Sequence, residues 1–336
     1  MINHTKEQSK EFLLSLNLIN SKNPKEILNK LYSISNRIEN NYKVYKIKKH
    51  NGNYRTIYSP KPLLKSIQRK ILNNILNNKE ISKYAKAYHK NISLKDNALP
   101  HLNKKIVLKL DIIDFFENIE YPTIYKYCFN EVYFPKSVGH LLTTLCTYES
   151  RLPQGAPTSS YISNLIMKDF DNELGAYCEK LNISYTRYSD DMTFSGDFNP
   201  RELISKVRKE LYRLGLKINN KKIHVINNSQ QQNVTGIVVN KKIQVSSKYR
   251  NTIRQSIYYI KKYGIKDHIS RINYQDNTNS ISNLYWKSIN DTNKQTIFTI
   301  HVDKAIKDIE AEIILVGNEE IINSKEFFEN EEYETL

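Results

Sequence analysis

Residues 183–195 read ISYTRYSDDMTFS, and the pair Asp190-Asp191 inside them decides how the whole chain is read. Tyr185, Tyr188, Met192 and Phe194 give the flanks the apolar and aromatic content of strands, so two short strands are predicted with the acids in a tight hairpin turn between them. Two adjacent like charges on a packed sheet repel. They are tolerated either by full solvation, as in an ordinary polar turn, or by a multivalent cation held between them and a third acid. Oxygen-only ligation beside a phosphate is what Mg²⁺ favours.

Residues 106–116, IVLKLDIIDFF, supply that third acid. The run is β-rich and apolar up to Asp111, then continues through Asp114, Phe115 and Phe116. Packing alone explains an acid at the end of a buried strand poorly; the competing reading is that Asp111 or Asp114 caps a short helix running toward Glu120. Residues 152–160, LPQGAPTSS, form a Pro/Gly/Ser turn ahead of a segment, 161–174, with helical spacing at Ile162, Leu165, Ile166 and Phe170. Gly155 permits close backbone approach and Gln154 offers donors and acceptors beside it, a combination that can cradle a nucleotide.

In this order, the strand ending at Asp111, LPQGAPTSS and YSDD resemble motifs A, B and C of reverse transcriptases, and LGLKINNKKIH at 214–224 resembles motif D. Two shorter runs narrow the likeness: NALPH at 97–101 and Val234-Thr235-Gly236 resemble the NAxxH and VTG hallmarks of bacterial retron reverse transcriptases. The resemblance covers roughly residues 25 to 310. It implies an α+β, right-hand polymerase fold with fingers, an antiparallel palm sheet with helices, and a helical thumb. It also implies a site of two Mg²⁺ ions held by Asp111, Ile112, Asp190 and Asp191. Asp111, Asp190, Asp191 and Lys222 are then the catalytic set, with Lys222 approaching the nucleotide phosphates. Arg55, Phe116, Gln154 and Gly155 are the nucleotide-binding set; Arg55 clasps the triphosphate and Phe116 excludes a 2′-hydroxyl. Asn97, His101, Val234, Thr235 and Gly236 are implied to recognise RNA, and Arg250 and Arg254 to lie along a duplex. For Arg55, Lys222 and the two arginines, a solvated surface charge is the alternative reading.

Charge agrees with a polyanionic partner. The formal net charge is +16, and residues 1–300 carry 48 basic against 24 acidic side chains while residues 301–336 carry eleven acids and three lysines. A surface of that sign binds nucleic acid with release of counterions and steep salt dependence. Twenty-four tyrosines offer stacking platforms for unpaired bases, although most serve amphipathic packing. Eight scattered histidines and three cysteines without ligand spacing argue against zinc. With no signal peptide or membrane-length apolar run in view, a reducing bacterial cytoplasm is expected.

Along the chain the expected organisation is a helical lead-in (1–40), fingers (41–105) with a hairpin around Asn51-Gly52-Asn53 and a helix over 66–81, a palm (106–245), a thumb (246–316) and an acidic tail (317–336). Residues 234–245 are read as a hairpin turning at Asn240 and Lys241, and Trp286 as a core anchor between thumb helices. The function implied by the resemblance is reverse transcription of a cognate structured non-coding RNA, which serves as template and, through an internal 2′-hydroxyl, as primer. The substrates are dNTPs and the product is a branched RNA–DNA (msDNA). Anti-phage defence with a separate effector protein is also implied, and no membrane partner. The alternatives are another bacterial reverse transcriptase, intron-related or defence-associated, and a non-catalytic RNA-binding palm scaffold.

Overall fold

The first helices begin where side chains satisfy the free N–H groups of a helix start. In the computed structural model, which describes residues 4–48, 52, 54–89, 91–255, 257–259 and 262–263, Thr5 and Gln8 form a capping box for α1 (Lys6–Ser15). Asn23 caps α2 (Pro24–Ser35), whose first residue is a proline that needs no donor there. β1 (Tyr42–Lys48) and β2 (Tyr54–Pro60) then form an antiparallel ribbon in register from Tyr42↔Pro60 to Lys48↔Tyr54. The expected hairpin is present, and residues 49–51 and 53 at its tip lie outside the described residues. The next helix, α3 (Pro62–Asn74), starts earlier than its apolar spacing suggests because Pro62 opens the first turn. Its buried Gln68 donates to Tyr42 Oη at 2.7 Å and to the Leu145 carbonyl at 2.9 Å, pinning the base of the ribbon to the core.

α4 (Leu94–Ala98), capped by Ser93, leads into β3 (Ile106–Asp111). The residues after β3 form turns with Asp114 at φ +41°, and no helix runs toward Glu120, so neither Asp111 nor Asp114 is a helix cap. α5 (Tyr121–Cys128) and α6 (Lys136–Leu145) follow. The expected helix over 161–174 forms as two, α7 (Ser159–Ile166) and α8 (Lys168–Lys180), which meet at Met167 (φ −82°, ψ −2°). β4 (Ser184–Tyr188) and β5 (Asp191–Gly196) come next, then α9 (Pro200–Arg213), capped by Asn199 with Pro200 in its first turn, and β6 (His224–Asn227). The four strands form one antiparallel sheet in the order β4-β5-β3-β6. β3 and β5 are interior strands and are almost wholly buried. The α+β class expected from the sequence is thus what forms.

The chain divides into two units, Met1–Thr235 with Val239–Lys241, and Gly236–Val238 with Lys242–Leu336. The first holds a continuous core through Ile71, Leu108, Phe129, Leu142 and Phe194, each fully buried; burying a side chain of this size contributes about 1.5–3 kcal/mol. The three cysteines, Cys128, Cys146 and Cys178, lie unpaired in that core. Burial pushes the thiols of Cys146 and Cys178 up to about 12 and that of Cys128 higher still. In the first unit a two-residue strand, β7 (Asn233–Val234), precedes Val239, whose N–H donates to the Gln232 carbonyl at 3.0 Å, while Asn240 Oδ1 accepts from Gln232 N–H at 2.8 Å. In the second unit β8 (Ile237–Val238) pairs with β9 (Gln244–Val245). The expected turn at Asn240 and Lys241 is therefore a longer loop, 239–243, because Val239 and Asn240 bond to the 228–232 segment instead of continuing the ladder. Helical backbone begins at residue 247. The rest of the thumb assignment, Trp286 and the acidic tail lie outside the described residues. Among the described residues, no helix is long and apolar enough to cross a membrane.

Candidate active site

The site is built on the ends of three strands. Tyr188 pairs with Asp191, so Ser189 and Asp190 alone make the turn between β4 and β5. Two-residue hairpin loops match strand twist when a turn residue takes a positive φ. Ser189 supplies it at +62°, unusual for a residue with a Cβ and worth roughly 1 kcal/mol of strain. Two bonds hold the turn against that strain. Arg187 Nη1 donates to the Ser189 carbonyl at 2.9 Å, and Ile112 N–H donates to the Asp190 carbonyl at 3.1 Å.

Asp111, the last residue of β3, lies directly across the ladder from Asp191. Three carboxylates from segments eighty residues apart therefore share one corner of the sheet. Asp111 is buried (6% exposed), and Asp191 is open to solvent. Asp190 is held above the usual carboxylate range, first by desolvation and then by the charge of Asp111. Asp191 is raised as well, by desolvation and by the charges of Asp190 and Asp111.

Lys222 answers this crowding most directly. Lys222 ends a short 3₁₀ turn capped by Asn219, and its Nζ sits 2.7 Å from Asp111 Oδ2. Asn219 adds a side-chain bond to Asp111 Oδ1 at 3.3 Å and a main-chain bond to the Asp111 carbonyl at 2.8 Å. The bond to Asp111 raises the Lys222 pKa, which keeps the ammonium charged at neutral pH. The residue expected at the nucleotide phosphates thus rests on a candidate metal ligand. Among the described residues, no three His, Cys, Asp or Glu side chains close around a single point tightly enough to enclose an ion. What the corner offers is an open, all-oxygen donor set whose mutual repulsion already attracts a cation, here the ammonium of Lys222. That chemistry fits Mg²⁺. The Ile112 side chain is buried and carries no donor atom, so only its main-chain oxygen is available as a ligand.

The LPQG loop docks on the ribbon. Tyr58 N–H donates to the Gln154 carbonyl at 2.8 Å. Gly155 takes φ +117°, and a Cβ there would lie 2.8 Å from Ile57 Cγ2 and 3.0 Å from the Tyr58 carbonyl oxygen, so only glycine allows this approach. Arg55 is exposed on the same strand, opposite Ile47. Phe116 is half-buried, its ring 5.5 Å from that of Phe115.

The residues implied to recognise RNA divide into two groups. Asn97, His101 and Val234 are at most 1% exposed, so each is an interior side chain. His101 is inserted behind the hairpin, with Nδ1 2.7 Å from Ser195 Oγ and Nε2 2.9 Å from Thr186 Oγ1, and burial lowers its pKa to about 3. Asn97 Nδ2 donates to Thr235 Oγ1 at 3.2 Å, so the NALPH and VTG runs are joined to each other. Thr235 is half-buried and Gly236 exposed. In the second unit Arg250 bonds Gln244 Oε1 and Ser247 Oγ, whereas Arg254 is exposed.

Sequence reasoning missed Arg187, Asp171 and Asn164, which lie beneath the turn. The available signal was an arginine in the same alternation as Tyr185, on the inward face of a strand.

Residues 47–239 match the family described as "Reverse transcriptase (RNA-dependent DNA polymerase)". The chain is 31% identical over 226 residues to the Retron Ec86 reverse transcriptase of Escherichia coli, spanning 65% of this chain and 70% of that protein. It is 32% identical over 247 residues to the Retron Ec83 reverse transcriptase of the same species, spanning 68% and 78%. With the Retron Mx65 reverse transcriptase of Myxococcus xanthus it shares 29% identity over 239 residues, 65% of this chain and 55% of that one.

Proposed function

Because the chain belongs to the bacterial retron reverse transcriptases, RNA-directed DNA polymerases, we propose that it copies a dedicated structured non-coding RNA, starting from an internal 2′-hydroxyl of that RNA, into a branched msDNA. The observation that carries this reading is the register pairing of Asp111 with Asp191 beside the Ser189-Asp190 turn. In the proposed site Asp111 and Asp190 hold two Mg²⁺ ions, with Asp191 and the Ile112 carbonyl assisting. The bound ions supply charge stabilisation at the attacking hydroxyl and the leaving pyrophosphate.

The chain's own groups do the rest. Lys222, an ammonium whose pKa is raised further by its hydrogen bond to Asp111, is within the cluster to offset the negative charge of a departing pyrophosphate. Arg55, on the ribbon that the LPQG loop docks against, reaches for the triphosphate; Gln154 and Gly155 present backbone to the nucleotide, and Phe116 takes the space of a 2′-hydroxyl. Thr235, the surface-facing part of the NALPH–VTG joint, meets the RNA; in the second unit Gly236, Arg250 and Arg254 are each assigned to RNA contact as well. Fingers over 41–105, palm over 106–245 and thumb over 246–316 complete the assignment. The protein acts in the bacterial cytoplasm, alongside a separate effector protein, in anti-phage defence.

The double variant Asp190→Asn, Asp191→Asn, co-expressed with the native RNA, is expected to lose cDNA synthesis by at least about 1000-fold, the scale of a metal-held charge in phosphoryl transfer. Wild-type cDNA yield from that variant overturns the metal assignment. Nuclease treatment of the purified wild-type complex is expected to leave a short DNA joined through a 2′,5′ linkage. Extension of any annealed primer with no branched product ever formed points instead to an intron-related or defence-associated enzyme.

A further inference from the structure

Below the Ser189-Asp190 turn, Arg187 has no exposure to solvent, yet every arm of its guanidinium is engaged. Nε and Nη2 bind Asp171, itself fully buried, at 2.9 and 2.6 Å. Nη2 also donates to Asn164 Oδ1 at 3.1 Å, and Nη1 donates to the Ser189 carbonyl at 2.9 Å. Tyr185 Oη completes the acid's shell at 2.8 Å, and Asn164 Nδ2 is tied to the Ala87 carbonyl at 2.9 Å.

Stability does not explain this arrangement. Taking two charges out of water is costly, and well-packed apolar side chains of the same volume usually hold a core as well or better. An apolar residue at 187 would suit the strand, since its neighbours in the same alternation are Tyr185 and, across the ladder, Met192. What it could not do is grip a carbonyl two residues ahead, at the one turn position in a left-handed conformation. That carbonyl belongs to the peptide leading into Asp190. Asn164 and Asp171 come from α7 and α8, the helices that follow the LPQG loop, so one guanidinium connects the nucleotide-loop helices to the acidic turn.

We propose that Arg187, neutralised and aimed by Asp171, is a positioning residue that fixes the Ser189-Asp190 peptide and so the direction in which Asp190 and Asp191 present their carboxylates. The proposal rests on the reading of those two acids as the catalytic pair. It predicts that losing the grip on Ser189 slows chemistry without changing what the enzyme binds.

The decisive variant is Arg187→Met with Asp171→Leu, which removes both charges and leaves neither unpaired. Purified with its RNA, it is expected to stay folded and to melt within about 10 °C of wild type, because the buried Tyr185 hydroxyl and Asn164 Oδ1 each lose a partner. Its single-turnover rate per titrated active site should fall about 10- to 100-fold, the scale of a misplaced catalytic group, with KM for dNTP unchanged within threefold. Amide hydrogen exchange, independent of turnover, should quicken in the peptide spanning 186–192 and nowhere else. A folded double variant with wild-type rate and wild-type exchange at the turn overturns the proposal. Should that protein fail to fold, Arg187→Lys retains the charge opposite Asp171 but lacks the fork that reaches Ser189. It is expected to slow single-turnover synthesis and loosen the same peptide, and a wild-type rate again overturns the proposal. If Asp190→Asn, Asp191→Asn also kept activity, the fault would lie in the catalytic assignment itself; loss of activity there, with none in the Arg187 variants, isolates the failure to positioning.

Discussion

His101 gives the sharpest quantitative test of how the acidic hairpin is supported. Its imidazole is completely buried between the hydroxyls of Ser195 and Thr186, and desolvation lowers its pKa from an ordinary 6.5 to about 3. Between those values the unfolded chain binds a proton at this position and the folded chain does not, so stability is full above pH 6.5 and falls as pH drops toward 3. At pH 5.0 the proton gained on unfolding amounts to about 2 kcal/mol, from 1.4 kcal/mol per pH unit acting over one and a half units. Asp190 and Asp191, raised in the folded state, push the other way over the acid range, so the wild-type curve alone does not isolate the histidine. The comparison that does is urea unfolding of wild type and His101→Gln, followed by far-ultraviolet circular dichroism at pH 7.5 and pH 5.0. Whatever glutamine costs in packing cancels when each protein is compared with itself across pH. Wild type is expected to lose about 2 kcal/mol more than the variant between the two conditions. Equal losses would mean that His101 accepts a proton in the folded protein and is not sealed behind the hairpin, and the reasoning would fail.

Gly155→Ala forces an L side chain to φ +117° and into Ile57 and the Tyr58 carbonyl. It is expected to lower the melting temperature by roughly 5 °C and raise KM for dNTP more than it lowers kcat, measured by thermal denaturation and steady-state extension. For Phe116→Ala, removal of the ring should raise ribonucleotide incorporation relative to deoxynucleotide by about 10- to 100-fold, read from competition in primer extension; an unchanged ratio removes Phe116 from sugar selection.

Much of the fold was legible because the chain's local signals agree with its tertiary structure. The alternation around Asp190 gave β4, β5 and a tight hairpin between them, but it put both acids in the turn, whereas Asp191 is the first residue of β5, paired with Tyr188, and Ser189 takes the other turn position; the β-rich run to Asp111 gave β3. Convergence of these segments came from the order of the motifs, since nothing local to Asp111 says that it pairs with Asp191 across an antiparallel ladder. Other features are set by long-range contacts and left little trace. Lys222 looked like a loop lysine free to approach a ligand, but Asn219 turns it onto Asp111. The NALPH run stood out only as a family hallmark, and Asn97 and His101 are interior polar groups whose partners, Thr235, Thr186 and Ser195, are 85 to 138 positions away. For Arg187 the only trace was its place in the inward alternation with Tyr185; the role of a buried guanidinium is intelligible once Asp171 and Asn164 are seen around it.

The cysteines hold a practical consequence. Cys128, Cys146 and Cys178 are all buried, with ionisation suppressed at each, and maleimides attack only accessible thiolate. A cysteine introduced at an exposed point of the ribbon, Tyr54 for example, would therefore react alone. One fluorophore could be placed there without first deleting the native thiols, giving a single-site reporter on the ribbon that the LPQG loop docks against.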